Sequence, residues 1–153
     1  MRYPEIKQID EPMRWALEHP SFFFAEGEMT IASIFAQLIE GTQVLARTTV
    51  ESSVLDEWYI VAASDDWFSN AWFPVPEDFD FKTITPFPEL GANRCRPEFV
   101  VATFATDVLV RGPNGTHVVK GNVGTAEQVL HAISGASQWK RAIAFRGQVI
   151  TAT

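Results

Sequence analysis

The sequence predicts an α+β fold: a single domain over residues 1–153, with a mixed, mostly antiparallel sheet and helices packed mainly on one face. Three observations carry this expectation. Thr30 is a good N-cap, and Ile31, Ile34, Phe35, Leu38 and Ile39 follow it at the spacing of a helix with one buried face. Two stretches, Arg47 to Ala63 and Asp107 to Lys120, each read as paired β-rich runs closed by a turn. Thr125 and Gln128 form a capping box ahead of Val129, Leu130 and Ile133, which marks a further helix ended by Gly135.

Taken in order, the chain opens with an irregular lead-in, Met1 to Gln8. Asp10 can cap a short helix with Pro12 in its first turn, where a missing N–H costs little. Met13, Trp15 and Leu17 give that helix an apolar side, and His19-Pro20 stops it. Phe22-Phe23-Phe24 is either a buried edge strand or an anchor under the next helix. Glu26-Gly27-Glu28 is the turn before that helix, which can run past Gly41 toward Ala46 although an interior glycine weakens it.

The first strand pair is expected at Arg47 to Ser53 and Glu57 to Ala63, with the turn at Val54-Leu55-Asp56. The second run is nearly all apolar, as in a strand covered on both faces. Ser69 to Pro97 holds five of the nine prolines, so regular structure there should be scarce. Phe79, Phe81, Phe87 and Leu90 nevertheless tie the segment to the body, and long ordered loops are commonly functional or lid-like. Glu98 to Ala105 reads as helical after Pro97. Gly112-Pro113-Asn114-Gly115 joins the clearest hairpin in the chain. Arg141 to Phe145 and Gln148 to Ala152 form a last hairpin or one bent strand.

The order of these elements resembles the nucleotide-binding domain of the GHKL superfamily, particularly gyrase B. His19-Pro20-Ser21-Phe22-Phe23-Phe24 resembles the segment before that family's first helix, and Ile34 to Thr42 resembles the helix itself. Asp65-Asp66 is similar to the Asp of its Asp-x-Gly-x-Gly turn, Ser69 to Pro97 to its lid, and Phe99 to Lys120 to its helix and hairpin. Gly124-Thr125 corresponds to its Gly-Thr. The resemblance implies ATP or ADP with magnesium as ligand, held around Gln37, Gly41, Asp65, Gly124 and Thr125. It also places Gln37 where the general-base Glu belongs and Gly41 where the magnesium-binding Asn belongs. An amide cannot take the proton of an attacking water, and glycine offers no metal ligand. Trp67 and Phe68 replace the glycines that admit adenine and phosphates. What is implied is a degenerate member with weak or no ATPase activity.

Composition points elsewhere. Nineteen acidic against twelve basic residues give a formal charge of −7. Phosphate binding needs clustered Lys and Arg, so neither nucleic acid nor an anionic membrane is the expected partner. No apolar run approaches a membrane span and no basic-then-apolar leader opens the chain, so the cytoplasm is the expected compartment. The lone Cys95 excludes an internal disulfide, and beside His117 and His131 it is expected to be inert.

The most unusual stretch follows the second strand. Asp65, Asp66, Trp67, Phe68, Trp72, Phe73, Asp78 and Asp80 interleave carboxylates with large rings, which suits a basic protein partner. The same rings could equally be core residues under the proline-rich loop. Asp65 and Asp66 point to opposite faces of an extended chain, so a shared metal is not expected. With no assembled catalytic set, the expected function is a non-catalytic domain that masks a basic partner, most concretely a bacterial immunity or antitoxin-type protein opposing a toxin.

Overall fold

The three central strands of the sheet alternate their side chains between two apolar layers, and the helices cover those layers unequally. The structure is a computed structural model that describes residues 11–25, 27, 29–75, 77–122, 127–135 and 138–149. Its strands are β1 (Val50–Leu55), β2 (Trp58–Ala63), β3 (Asp107–Gly112), β4 (Gly115–Lys120) and β5 (Arg141–Arg146). Its helices are α1 (Pro12–Glu18), α2 (Ile31–Leu45), α3 (Pro97–Phe104) and α4 (Glu127–Gly135). The strand order is β1-β2-β5-β3-β4, and every pairing among the described residues is antiparallel. The fold is α+β in a single domain.

Tyr59, Val61 and Ala63 of β2, Val108 and Val110 of β3, and Ile143 and Phe145 of β5 face the larger layer, under α1, α2 and α3. Trp58, Ile60, Ala62, Leu109, Ala142 and Ala144 face the smaller one, closed by Val129 and Ile133 of α4. Period-two alternation with both faces covered makes β2 and β5 apolar at nearly every position. Three helices lie on one face and one on the other.

Thr30 caps α2 through its side chain, accepting from the Ser33 N–H at 3.1 Å. The helix passes through Gly41 without breaking. A Cβ at Gly41 would lie 2.7 Å from Pro97 Cγ and 3.0 Å from Phe87, so glycine is what lets α3 and the proline-rich loop close on α2. Helix α1 begins at Pro12; the expected cap Asp10 and lead-in Met1 to Gln8 lie outside the described residues. Phe22, Phe23 and Phe24 do not form a strand. Phe22 ends the 3-10 turn Pro20–Phe22, and Phe23 and Phe24, which follow it, pack on Phe104, so the segment is an anchor.

The turn of the first hairpin falls later than expected. Val54 and Leu55 stay in β1, paired with Tyr59 and Trp58, and the turn is Asp56-Glu57 with φ of 48° and 70°. Two positive φ values match the twist of a two-residue hairpin, which outweighs the local preference of either residue. After Arg146 the chain leaves the sheet, and the expected partner run reaches residues that are not described. The capping box at Thr125 also lies outside them. Among the described residues, no helix is long and apolar enough to cross a membrane.

Candidate functional site

The loop after β2 is built by its two carboxylates. Asp65 accepts from the Arg47 N–H at 3.0 Å, Thr48 Oγ1 at 3.0 Å and Asn70 Nδ2 at 2.8 Å, tying the start of β1 to the end of β2. Burial pushes this carboxyl up, yet the three donors together hold it below its ordinary range. Asp66 faces away and caps the 3-10 turn Trp67–Asn70, accepting from the Phe68 N–H at 3.2 Å. It also accepts from Arg141 Nε at 2.8 Å. The two aspartates therefore serve separate partners, as neighbours on opposite faces must.

Trp67 and Phe68 turn inward, with 0% and 5% of their surfaces exposed. The Trp67 indole donates to Glu98 Oε1 at 3.2 Å, and Glu98 is also held by Arg96 at 2.6 and 3.2 Å. The guanidinium of Arg141, itself fully buried, lies 3.9 Å from the Phe68 ring centroid. Arg141 then reaches the proline-rich segment: Nη1 donates to the Asp78 carbonyl at 3.0 Å, and Nη2 lies 3.8 Å from the Asp78 carboxylate. A Cβ at Gly112, the last residue of β3, would collide with this guanidinium, so glycine there leaves it room. Arg141 was not among the residues singled out from sequence. Its one signal is a cation opening the apolar run Ala142 to Phe145.

Past this lock the chain surfaces. Trp72 is 78% exposed and Phe73 43%, although the Trp72 N–H is fixed by Glu89 Oε2 at 2.6 Å. Asp78 accepts from Asn114 Nδ2 at 3.3 Å, and Asp80 from the Lys82 N–H at 3.1 Å. Phe79 between them stacks on His117 with centroids 4.6 Å apart. Of the eight residues expected at a partner surface, Trp72, Phe73, Asp78 and Asp80 thus face outward to some degree. Asp65 and Asp66 are spent on the loop, and Trp67 and Phe68 lie in the core.

Gln37 lines a cleft of about 330 Å³ with Phe22, Glu40, Arg94, Cys95 and Pro97, and Asp65 is not part of it. Its amide donates to the Phe23 carbonyl at 3.1 Å. Gly41 is covered by Pro97, and Gly124 and Thr125 lie outside the described residues. Among the described residues, no group of three or more His, Cys, Asp and Glu side chains is placed to hold a metal ion. Burial, with the Glu98 carboxylate second, pushes the Cys95 thiol up to about 11. Because thiols react as thiolates, Cys95 at pH 8 should alkylate about a hundredfold more slowly than an ordinary cysteine. Iodoacetamide labelling across pH 7–10 checks this: a rate that levels off near pH 9 would contradict it.

No family model, curated protein or solved structure matches this chain.

Proposed function

We propose that this chain is a non-catalytic protein-binding domain that masks a basic partner, an immunity or antitoxin-type protein being the concrete form. The observation that carries this reading is Trp72: a ring 78% exposed on a backbone already held by Glu89. A large ring that needs little ordering loses little entropy on docking, which is why tryptophan is a frequent hot spot. Phe73, 43% exposed, extends the apolar contact. The carboxylates of Glu77, Asp78, Asp80 and Glu89 follow in the same segment, and with a net charge of −7 they favour a cationic surface.

Trp72→Ala should leave the thermal melt within a few degrees of wild type and weaken partner binding by about 2 kcal/mol, roughly thirtyfold. Capture from the native host with wild-type and Trp72→Ala baits, followed by kinetics on the captured partner, measures it. Neutralising Asp80 and Glu77 should chiefly slow association, with the loss shrinking at high salt. Equal capture by both baits would remove the proposed surface. Turnover or tight binding of ATP with magnesium would instead favour the degenerate GHKL-like nucleotide-binding reading.

A further inference from the structure

The two ends of the sheet are not alike. Strand β4 is shielded: its pairing with β3 carries an irregularity at Val108/Leu109, and Phe79 stacks on its His117. Strand β1 has none of these devices. Its residues from Glu51 to Leu55 are exposed, Val54 at 58% and Leu55 at 36%, and among the described residues only β2 pairs with it. It contains no proline, no lysine and no bulge. Its single charge, Glu51, is drawn back over its own sheet by a hydrogen bond from the Trp139 indole.

The two-residue turn determines which backbone groups of β1 are free. Such a turn closes on a hydrogen-bonded pair, here Leu55 with Trp58, and pairs alternate along an antiparallel ladder. Ser53 and Glu51 therefore also bond inward to β2, while Val50, Ser52 and Val54 present their N–H and C=O groups outward. Only outward groups can pair with a new strand. For two copies of β1 meeting antiparallel, the register that pairs all three outward residues has its two-fold axis at Ser52.

We infer that β1 is a self-association edge, taking β1 of a second copy of this chain in antiparallel register with Ser52 opposite Ser52. In this register Val50 lies opposite Val54 of the second copy on the α2 side, a favourable β-branched pair. Glu51 lies opposite Ser53, so no like charges face each other directly. The chain's −7 charge opposes any self-contact, and β1, with one carboxylate in six residues, adds little to that opposition. Five paired residues from each copy bury little, so the dimer is a concentration-dependent one at the small end of specific interfaces. Salt screens the mutual repulsion and strengthens it, the opposite of the salt response of an acidic surface on a basic partner.

Sedimentation over a wide concentration range, at low and high salt, tests the association itself. Wild-type protein should move from monomer toward dimer, further at high salt. Ser52→Pro removes an outward N–H, leaves the β1–β2 ladder intact, and should abolish the dimer with an unchanged melt. If that variant melts early, Val54→Lys decides instead: folded and monomeric supports the edge, folded and dimeric overturns it. Register is read by cross-linking in a Cys95→Ser background. A hydrogen-bonded antiparallel pair has its Cα atoms about 5.5 Å apart, inside the disulfide range, so Ser52→Cys should cross-link under mild oxidation. Ser53→Cys, diagonal to its counterpart, should do so far more slowly. A wild-type chain monomeric at every concentration, or equal cross-linking of the two cysteine variants, would refute the inference.

Discussion

Glu98→Ala is expected to destabilise the fold by about 3–5 kcal/mol, because it strands a buried guanidinium. Arg96 and Glu98 expose 1% and 2% of their side chains, and their closest approach is 2.6 Å. Around them, the Arg96 guanidinium lies 5.2 Å from the Phe68 centroid and 5.6 Å from that of Phe87. Removing the carboxylate leaves the cation in this ring-lined site with the Trp67 N–H also unsatisfied. Water cannot readily reach either group, so the full desolvation cost is felt. Loss of the carboxylate should thus exceed the cost of any single surface change by several-fold. Replacing both residues, Arg96→Met with Glu98→Leu, should recover much of the loss, since an apolar pair needs no partner. Urea denaturation of the single and double variants checks this. A single-variant loss below about 1 kcal/mol would mean that the site admits water.

Leu38→Asp should abolish cooperative folding. Leu38 is 0% exposed at the middle of α2, facing the layer that β2, β5 and α3 share. An unpaired carboxylate there costs several kcal/mol on top of the lost apolar burial, against a total stability of about 5–15 kcal/mol for a domain. Val44→Asp on the same helix is the control. Val44 is 41% exposed, so its substitution should shift stability by only about 0.5 kcal/mol. Near-ultraviolet circular dichroism, reporting on the packed rings, should vanish for Leu38→Asp and persist for Val44→Asp. A native-like spectrum and melt for Leu38→Asp would show that α2 is not pinned to the sheet.

Lys120 shows how a strand end supports a helix end. Its ammonium donates to the carbonyls of Ala102 and Thr103 at 3.0 Å each, in the last turn of α3. Burial shifts its pKa down, with Asp107 opposing. This tie between β4 and α3 involves residues seventeen and eighteen positions apart, and no local pattern announces it.

What the sequence determined by itself is local. The α2 cap at Thr30, its buried stripe, α3 after Pro97, the Gly112-to-Gly115 hairpin and the apolar character of β2 each follow from neighbours within a few residues. Periodicity and turn chemistry act over that range, so they can be read directly. Even the first hairpin is legible as a pair, though its turn falls at Asp56-Glu57, with Leu55 still paired to Trp58.

Only the tertiary structure decided the rest. Strand β5, near the end of the described chain, inserts between the two hairpins and joins them into one sheet. Its position depends on pairing with β2 and β3, which lie far away in sequence. The same holds for the aromatic loop. Trp67 and Trp72 stand five residues apart in one acidic stretch, and nothing local distinguishes them. Trp67 is inside because its N–H meets Glu98 and its turn is locked by Asp66 to Arg141. Trp72 lies beyond that lock, where its ring is left in solvent. A buried ring with a polar atom must find its partner, and those partners sit 31 and 75 residues downstream of Trp67 and Asp66. Burial is a property of the assembled chain, so composition named the stretch and packing chose which of its rings face outward.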